Sequence, residues 1–272
     1  MIVLDVGCLL IDNNRSKAYI QKLLLNNFVP EQIFFLNIEK RKKETKNFYD
    51  DLFSEINKFN INRKYFYYEI TEKAINPLVN FVPRNYLSFN VLEKPCETLD
   101  KYGIKYTVLN IDSLDDEILI NEIEKSQVNY FIFSGGGILK KDILSLGKNF
   151  IHIHPALLPD IRGSMGIEWS VLLKNECSAS AIFMSEEIDM GKIIKTKHFD
   201  YPVLEGNNVS PLFCSHIRSE LLLEIVKEFV ENGNFPLFGN NIKDKGRSYY
   251  KMHPLLNNIV FYKCLKNRTT GA

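Results

Sequence analysis

Two histidines spaced two residues apart, His152 and His154, lie in Phe150–Gly163 (FIHIHPALLPDIRG) and are the side chains best suited to moving a proton. Side chains alternate along a strand, so a short strand here puts both imidazoles on one face. Pro155 stops that strand, Leu157-Leu158-Pro159 reads as an apolar turn, and Arg162-Gly163 stands just before a helical pattern. A carboxylate follows at Asp189, within Glu187-Ile188-Asp189-Met190-Gly191, on a Gly-containing turn between two strand-like runs. A histidine–carboxylate pair at the end of a parallel sheet suits proton movement during acyl transfer. Plainer roles stand beside these. His152 also fits a packed strand histidine bonded to a backbone carbonyl, Asp189 a turn former, and Arg162 a salt-bridged loop tie. Trp169, at helical spacing, reads as core, and Tyr249, Tyr250 and His253 read as packing.

The elements that must position these groups alternate regularly. Ile2–Val6 and Gln32–Leu36 read as buried strands around a helix at Ala18–Leu25. The stretch Phe48–Ala74 is rich in Tyr, Phe and Asn, and its Tyr65–Tyr68 cluster reads as packing. Asn76–Asn90 reads as connection. Next come a helix at Pro95–Tyr102 closed by Gly103, a strand at Lys105–Ile111 and a helix over Asp112–Ser126. A strand at Tyr130–Phe133 runs into Ser134-Gly135-Gly136-Gly137, followed by a helix at Leu139–Leu146 and a strand at Asn149–Ile153. A helix at Ile167–Leu173 and strands at Ser180–Met184 and Lys192–His198 precede a long helix at Pro211–Glu231. Beyond Asn232 the chain reads as loop-rich. This rhythm implies a parallel sheet covered on both faces, which binds ligands beyond the carboxyl ends of its strands. The triple glycine is neither GxGxxG nor followed by GK[ST], so it gives no support for a nucleotide phosphate loop.

Composition narrows the classes. Lys+Arg number 34 against 33 Asp+Glu, a balance that argues against a dedicated nucleic-acid binder. The one basic run, Lys40–Lys46, reads as a solvated face. The five cysteines are scattered with no CxxC pair, so neither a disulfide framework nor a cysteine zinc site is expected. No metal is expected at all. The N-terminus lacks a signal-peptide layout and no apolar run is long enough for a bilayer. The expectation is a cytoplasmic protein without membrane contact.

Several of these motifs, in order, resemble the signature of the folate-dependent formyltransferases. That group includes glycinamide ribonucleotide, methionyl-tRNA and sugar N-formyltransferases. The family pattern runs Asn-x-His-Pro-Ser-Leu-Leu-Pro, Arg-Gly, a helix bearing Trp, then an Asp-x-Gly turn. This chain has His152-Ile153-His154-Pro155-Ala156-Leu157-Leu158-Pro159, Arg162-Gly163, Glu168-Trp169 and Asp189-Met190-Gly191. Gly135–Leu139 resembles the family's strand-Gly-x-Gly-Ile-Leu segment, and the likeness spans about Lys94 to Glu231.

The resemblance implies a Rossmann-like α/β formyltransferase fold, a parallel sheet with helices on both faces. Its parts would be an N-terminal half with an atypical insertion (1–93), a catalytic core (94–231) and a short extension (232–272). It implies His154 and Asp189 as catalytic residues, with N10-formyltetrahydrofolate as co-substrate. Gly136, Gly137, Ile138, Leu139 and Glu187 would line the folate pocket, and Arg162 and Gly163 would meet substrate. His152 stands where the family has Asn, and Ala156 where it has Ser. An imidazole can donate N–H as an amide does, so His152 either keeps the oxyanion-donor role, changes the acceptor or silences the site. The first strand lacks a glycine-rich turn, which disfavours glycinamide ribonucleotide, and the short C-terminal extension disfavours tRNA. A small primary amine remains, a nucleotide-linked amino sugar first among them, with a homodimer as the candidate assembly. A deformylase and a catalytically silent binding module are the rival readings.

Overall fold

The computed structural model describes residues 1–38, 88–200, 204–205, 208–237 and 246–269. The basic run 40–46, the stretch 48–74 with its aromatic cluster, and most of the expected connection 76–90 lie outside them. The chain opens with strand β1 (Ile2–Leu10), helix α1 (Asn14–Leu25) and strand β2 (Phe28–Ile38). Helix α1 begins where Asn13 accepts the Ser16 N–H at 2.7 Å, a side-chain N-cap. Helix α2 (Pro95–Lys101), strand β3 (Thr107–Ile111), helix α3 (Glu117–Lys125) and strand β4 (Tyr130–Phe133) follow. Helix α3 starts later than its sequence pattern suggests. Asp116 folds back to accept the Asp112 N–H at 2.9 Å and caps Ile118, so residues before it form a turn.

After a single helical turn, α4 (Lys141–Leu144), the chain enters strand β5 (Asn149–His154), strand β6 (Ile161–Gly163) and helix α5 (Gly166–Lys174). Strands β7 (Cys177–Phe183) and β8 (Ile193–Phe199) complete the main sheet. A small hairpin, β9 (Leu204–Glu205) with β10 (Asn208–Val209), leads to the long helix α6 (Pro211–Asn232). The chain ends in β11 (Arg247–Tyr249) and helix α7 (Pro254–Thr269). Helix α7 replaces the expected loop-rich end. Its apolar residues follow no clear helical stripe, and tertiary contact holds it. Lys263 Nζ donates to the Leu172 and Val171 carbonyls at 2.8 and 3.3 Å, satisfying the open end of α5.

The seven strands lie in the order β3-β2-β1-β4-β5-β7-β8. Pairing is parallel from β3 through β5, while β7 and β8 run antiparallel. The parallel sheet read from the sequence spans five strands, and its far edge adds two strands joined by antiparallel pairing. Hydrophobic periodicity identifies strands but carries no information on direction. The sheet draws β1 and β2 from the N-terminal part and the rest from the core, so both build one layer.

Alternation along the strands splits the interior in two. Leu9, Phe131, Phe133 and Phe150 pack with Leu119 and Ile123 of α3 on one face. Cys8, Leu10, Ile132, Ile151 and Ile153 pack with α1 and α6 on the other. On α6, Ile217, Leu221, Leu222, Ile225 and Val226 are fully enclosed. At roughly 1.5–3 kcal/mol for each such side chain, they outweigh the several kcal/mol it costs to enclose one arginine. Helix α6 carries such a residue, Arg218.

Candidate catalytic site

His154 ends β5 and is only 2% exposed. Its Nε2 lies 3.0 Å from the Ile161 carbonyl. A carbonyl only accepts, so Nε2 carries the proton and donates. The lone pair of the neutral ring is then on Nδ1, which stands 3.4 Å from Asp189 Oδ2. A proton taken up at Nδ1 is thus stabilised by the carboxylate beside it, while the Ile161 carbonyl keeps the ring oriented.

Asp189 reaches this place by a detour. Because β7 runs antiparallel to β5, pairing Ile151 with Phe183 and His154 with Ser180, the β7–β8 connection leaves the sheet near Ile151. It must fold back along β5 to meet His154. The fold-back is held at three points. Oδ2 of Asp189 accepts the Gly163 N–H at 2.8 Å. Asp189 sits in the left-handed region at φ +55°, which Asp tolerates better than most residues. Gly191 passes so close to β7 that a Cβ there would lie 1.5 Å from the Phe183 carbonyl oxygen, so only glycine fits.

The loop after His154 is braced from β7. Ser180 Oγ accepts the Leu158 N–H at 3.0 Å and donates to the Ala156 carbonyl at 2.8 Å. Ala156 is fully buried, and its side chain only fills space.

His152 is half-buried and pairs across the sheet with Ile182. Its Nδ1 is enclosed and has no hydrogen-bond partner. The backbone of Phe133 accepts a hydrogen bond from the ring, which favours its protonated form. Donor atoms of His152, His154 and Asp189 all fall within 4.8 Å of one another, so the three side chains converge. Both imidazoles are held below the ordinary histidine range. For His152 burial is the main cause, then the charges of Arg15 and Arg218. For His154 burial again dominates and outweighs the raising pull of Asp189, with Arg218 adding to the lowering. At neutral pH both rings are therefore uncharged. Three such donors could ligate a divalent ion, but Arg15 and Arg218 bring positive charge to the same place and oppose a cation there.

The other sequence-derived positions fall around this centre. Gly136, Gly137, Ile138 and Leu139 form the loop after β4, with Ile138 56% exposed and Leu139 buried. Glu187 is exposed on the β7–β8 connection, next to Ile188 at 53% exposed. Arg162 contacts Met190 Sδ through Nη1 and donates Nη2 to the Gly246 carbonyl at 3.0 Å, tying the Asp189 turn to the chain before β11. That tie uses a thioether and a carbonyl, not the salt bridge considered from sequence. Gly163 spends its N–H on Asp189. Trp169 stacks on Tyr249 with ring centroids 4.7 Å apart and donates Nε1–H to the Tyr250 carbonyl at 2.9 Å. Tyr250 and His253 are exposed, which corrects their reading as packing.

Sequence reasoning missed the groups that hold the front of the crevice. Arg15 donates to the Gly135 carbonyl at 2.9 Å and Asn13 to the Ser134 carbonyl at 3.1 Å. Ser16 Oγ and Ser134 Oγ are 2.6 Å apart. These bonds fasten the start of α1 to the loop after β4, at the point where strand order reverses between β1 and β4. Arg218 also went unnoticed, although a lone Arg among Phe213, Ile217, Leu221 and Leu222 is a signal visible in sequence.

Among known proteins, this chain is 31% identical over 121 residues to methionyl-tRNA formyltransferase of Campylobacter lari, covering 43% of this chain and 39% of that protein. It is 32% identical over 119 residues to the same enzyme of Wolbachia pipientis, covering 40% and 39%. The chain thus spans about two fifths of the length of these relatives. The fold is shared with a sugar N-formyltransferase from a Shewanella species at TM-score 0.52 and 16% identity, covering 96% of this chain and 87% of that one. It is shared also with a 4-N formyltransferase from Francisella tularensis at TM-score 0.50 and 13% identity, covering 95% and 87%. Among the described residues no helix is long and apolar enough to cross a membrane. The family model for formyl transferases matches residues 88–212, a segment running from before α2 to the start of α6 and containing His152, His154 and Asp189.

Proposed function

We propose that this protein transfers a formyl group from N10-formyltetrahydrofolate to the primary amine of a small acceptor, with a nucleotide-linked amino sugar as the leading candidate. The observation that carries the reading is the Nδ1–Oδ2 approach of His154 and Asp189 beside the loop that ends β4. The amine attacks the formyl carbon and its proton passes to His154 Nδ1. Asp189 stabilises the imidazolium so formed. His152 takes the third position, from which a ring N–H is offered to the oxyanion. Collapse breaks the bond from carbon to N10, and the proton held by His154 leaves with that nitrogen. The loop Gly136–Leu139 and the segment at Glu187, with exposed Ile138 and Ile188, supply the apolar edges against which a pterin would lie.

The choice of acceptor is supported by extent of likeness. The sugar and 4-N formyltransferases share their fold with 96% and 95% of this chain, which makes an amino sugar the first acceptor to try. Incubation with N10-formyltetrahydrofolate and a panel of amines tests the reading. Formylated product that requires both amine and His154 supports it. Release of formate without amine would establish a deformylase instead, and binding without turnover a silent module.

A further inference from the structure

His152, His154 and Asp189 bring two imidazoles and one carboxylate together, with one donor atom of each within 4.8 Å of the others. Strand alternation puts both rings on one face of β5. The fold-back after β7 delivers the carboxylate and sets Nδ1 of His154 3.4 Å from Oδ2 of Asp189. Two ligands of a tetrahedral zinc ion, with bonds of about 2.0–2.1 Å, stand roughly 3.3 Å apart. That pair therefore already has ligand spacing. His152 has at most about 1.5 Å to close, a distance within reach of a ring rotation. The groups behind the three donors are also those that a metal site uses. Nε2 of His154 donates to the Ile161 carbonyl at 3.0 Å, which leaves the lone pair on Nδ1. The backbone of Phe133 accepts from the His152 ring. Nδ1 of that ring is enclosed with no partner, so Nε2 makes this bond and Nδ1 again keeps the lone pair. Oδ2 of Asp189 accepts the Gly163 N–H at 2.8 Å. Each ligand is thus oriented by the backbone and keeps an electron pair unspent.

We infer that His152, His154 and Asp189 form a binding site for a divalent transition-metal ion of the zinc class, and that the bound ion blocks formyl transfer by occupying the lone pair of His154. One electron pair on Nδ1 cannot hold both a metal and the proton taken from the amine. An amide, which the family pattern has at position 152, offers no lone pair on nitrogen, so the imidazole is what completes the ligand set. Two nitrogens and one oxygen suit zinc or cobalt better than calcium or magnesium, which take oxygen ligands. The charges of Arg15 and Arg218 hold the affinity down. Against them, Asp189 acts on His154 more strongly than either arginine does, and Nη1 of Arg15 is already spent on the Gly135 carbonyl. Three ligands and that opposing charge make the ion an exchangeable inhibitor and not a permanent part of the fold. The site rests on its geometry, and only the block of transfer rests on the proposed reaction.

The test uses the full chain, freed of metal by dialysis against a chelator, with zinc sulfate and cobalt chloride as probes. Calorimetry should show one zinc bound per chain, and zinc should raise the melting temperature. Cobalt should give the visible absorption of a tetrahedral site. In NMR spectra of the native chain the ring signals of His152 and His154 should shift on zinc addition, while those of His198, His216 and His253 stay in place. This readout needs no variant to fold. His152→Asn and Asp189→Asn should each weaken zinc roughly 100-fold or more, since losing a ligand costs at least as much as losing a group behind one. Formyl transfer by the native chain should fall in proportion to the zinc bound and return when chelator is added. His152→Asn should keep its own zinc-free rate at the zinc concentration that blocks the native chain. Absence of binding at one ion per chain, binding that leaves both ring signals unmoved, or equal affinity in the native chain and His152→Asn would overturn the site. Full transfer at saturating zinc would overturn the block. Zinc held by these residues in a chain that transfers no formyl group to any amine would overturn the proposed reaction and leave the metal site standing.

Discussion

Asp189 Oδ2 faces His154 Nδ1 at 3.4 Å while it also accepts the Gly163 N–H at 2.8 Å. The carboxylate is therefore fixed by the backbone before any proton arrives on the ring. That arrangement costs no reorganisation when the imidazolium forms, which is the condition for effective electrostatic stabilisation.

Removing either partner should cost rate and leave the fold intact. For Asp189→Asn, kcat for formyl transfer should drop by about 10²–10⁴, with KM for the folate little changed. His154→Ala should fall at least as far. Steady-state kinetics on both variants check this, and full activity in either would exclude the pair from the chemistry.

His152 is the departure from the family pattern, and its Nδ1 has no protein partner. A donor aimed at the oxyanion is worth roughly 3–4 kcal/mol, or 10²–10³ in rate. His152→Ala should lose about that factor, whereas His152→Asn, which restores an amide N–H, should retain measurable activity. A large gain in His152→Asn over the native chain would show that the imidazole is a defect.

Acid should weaken the fold. Both imidazoles have folded-state pKa values lowered from 6.5, chiefly by burial. Below about pH 6.5 the unfolded chain binds protons that the folded chain refuses, so stability present above that pH is lost as pH falls. Each ring contributes a slope of about 1.4 kcal/mol per pH unit in that window. Urea unfolding between pH 7 and 5 should show the midpoint falling, and by less in His152→Asn. In NMR titrations the ring signals of His152 and His154 should stay in the neutral form through pH 6.

Gly191 is the narrowest point of the fold-back. With a Cβ placed 1.5 Å from the Phe183 carbonyl oxygen, Gly191→Ala must displace the turn that carries Asp189. A loss of about 3 kcal/mol or more in stability is expected, together with loss of transfer. A crystal structure of the variant would show Asp189 withdrawn from His154. Unchanged melting and activity would refute the argument from close approach.

The local order of residues made much of this legible in advance. Alternation in Phe150–His154 places two imidazoles on one side of a strand, Pro155 ends it, and the run of strands and helices implies a covered sheet. Those are properties of neighbours a few residues apart, and periodicity records them. The antiparallel course of β7 and β8 was not legible, because a strand's apolar pattern reads the same in both directions. Nor was the fold-back that carries Asp189 from beside Ile151 to His154, which depends on Gly191 meeting Phe183 across the sheet. Helix α7 escaped notice because its anchors, such as Lys263 on the last carbonyls of α5, lie about ninety residues away in the chain. Sequence alone determined which side chains could do chemistry and on what local element each stands. Tertiary structure alone decided which of them share a space, since burial and charge act through distance and not through position along the chain.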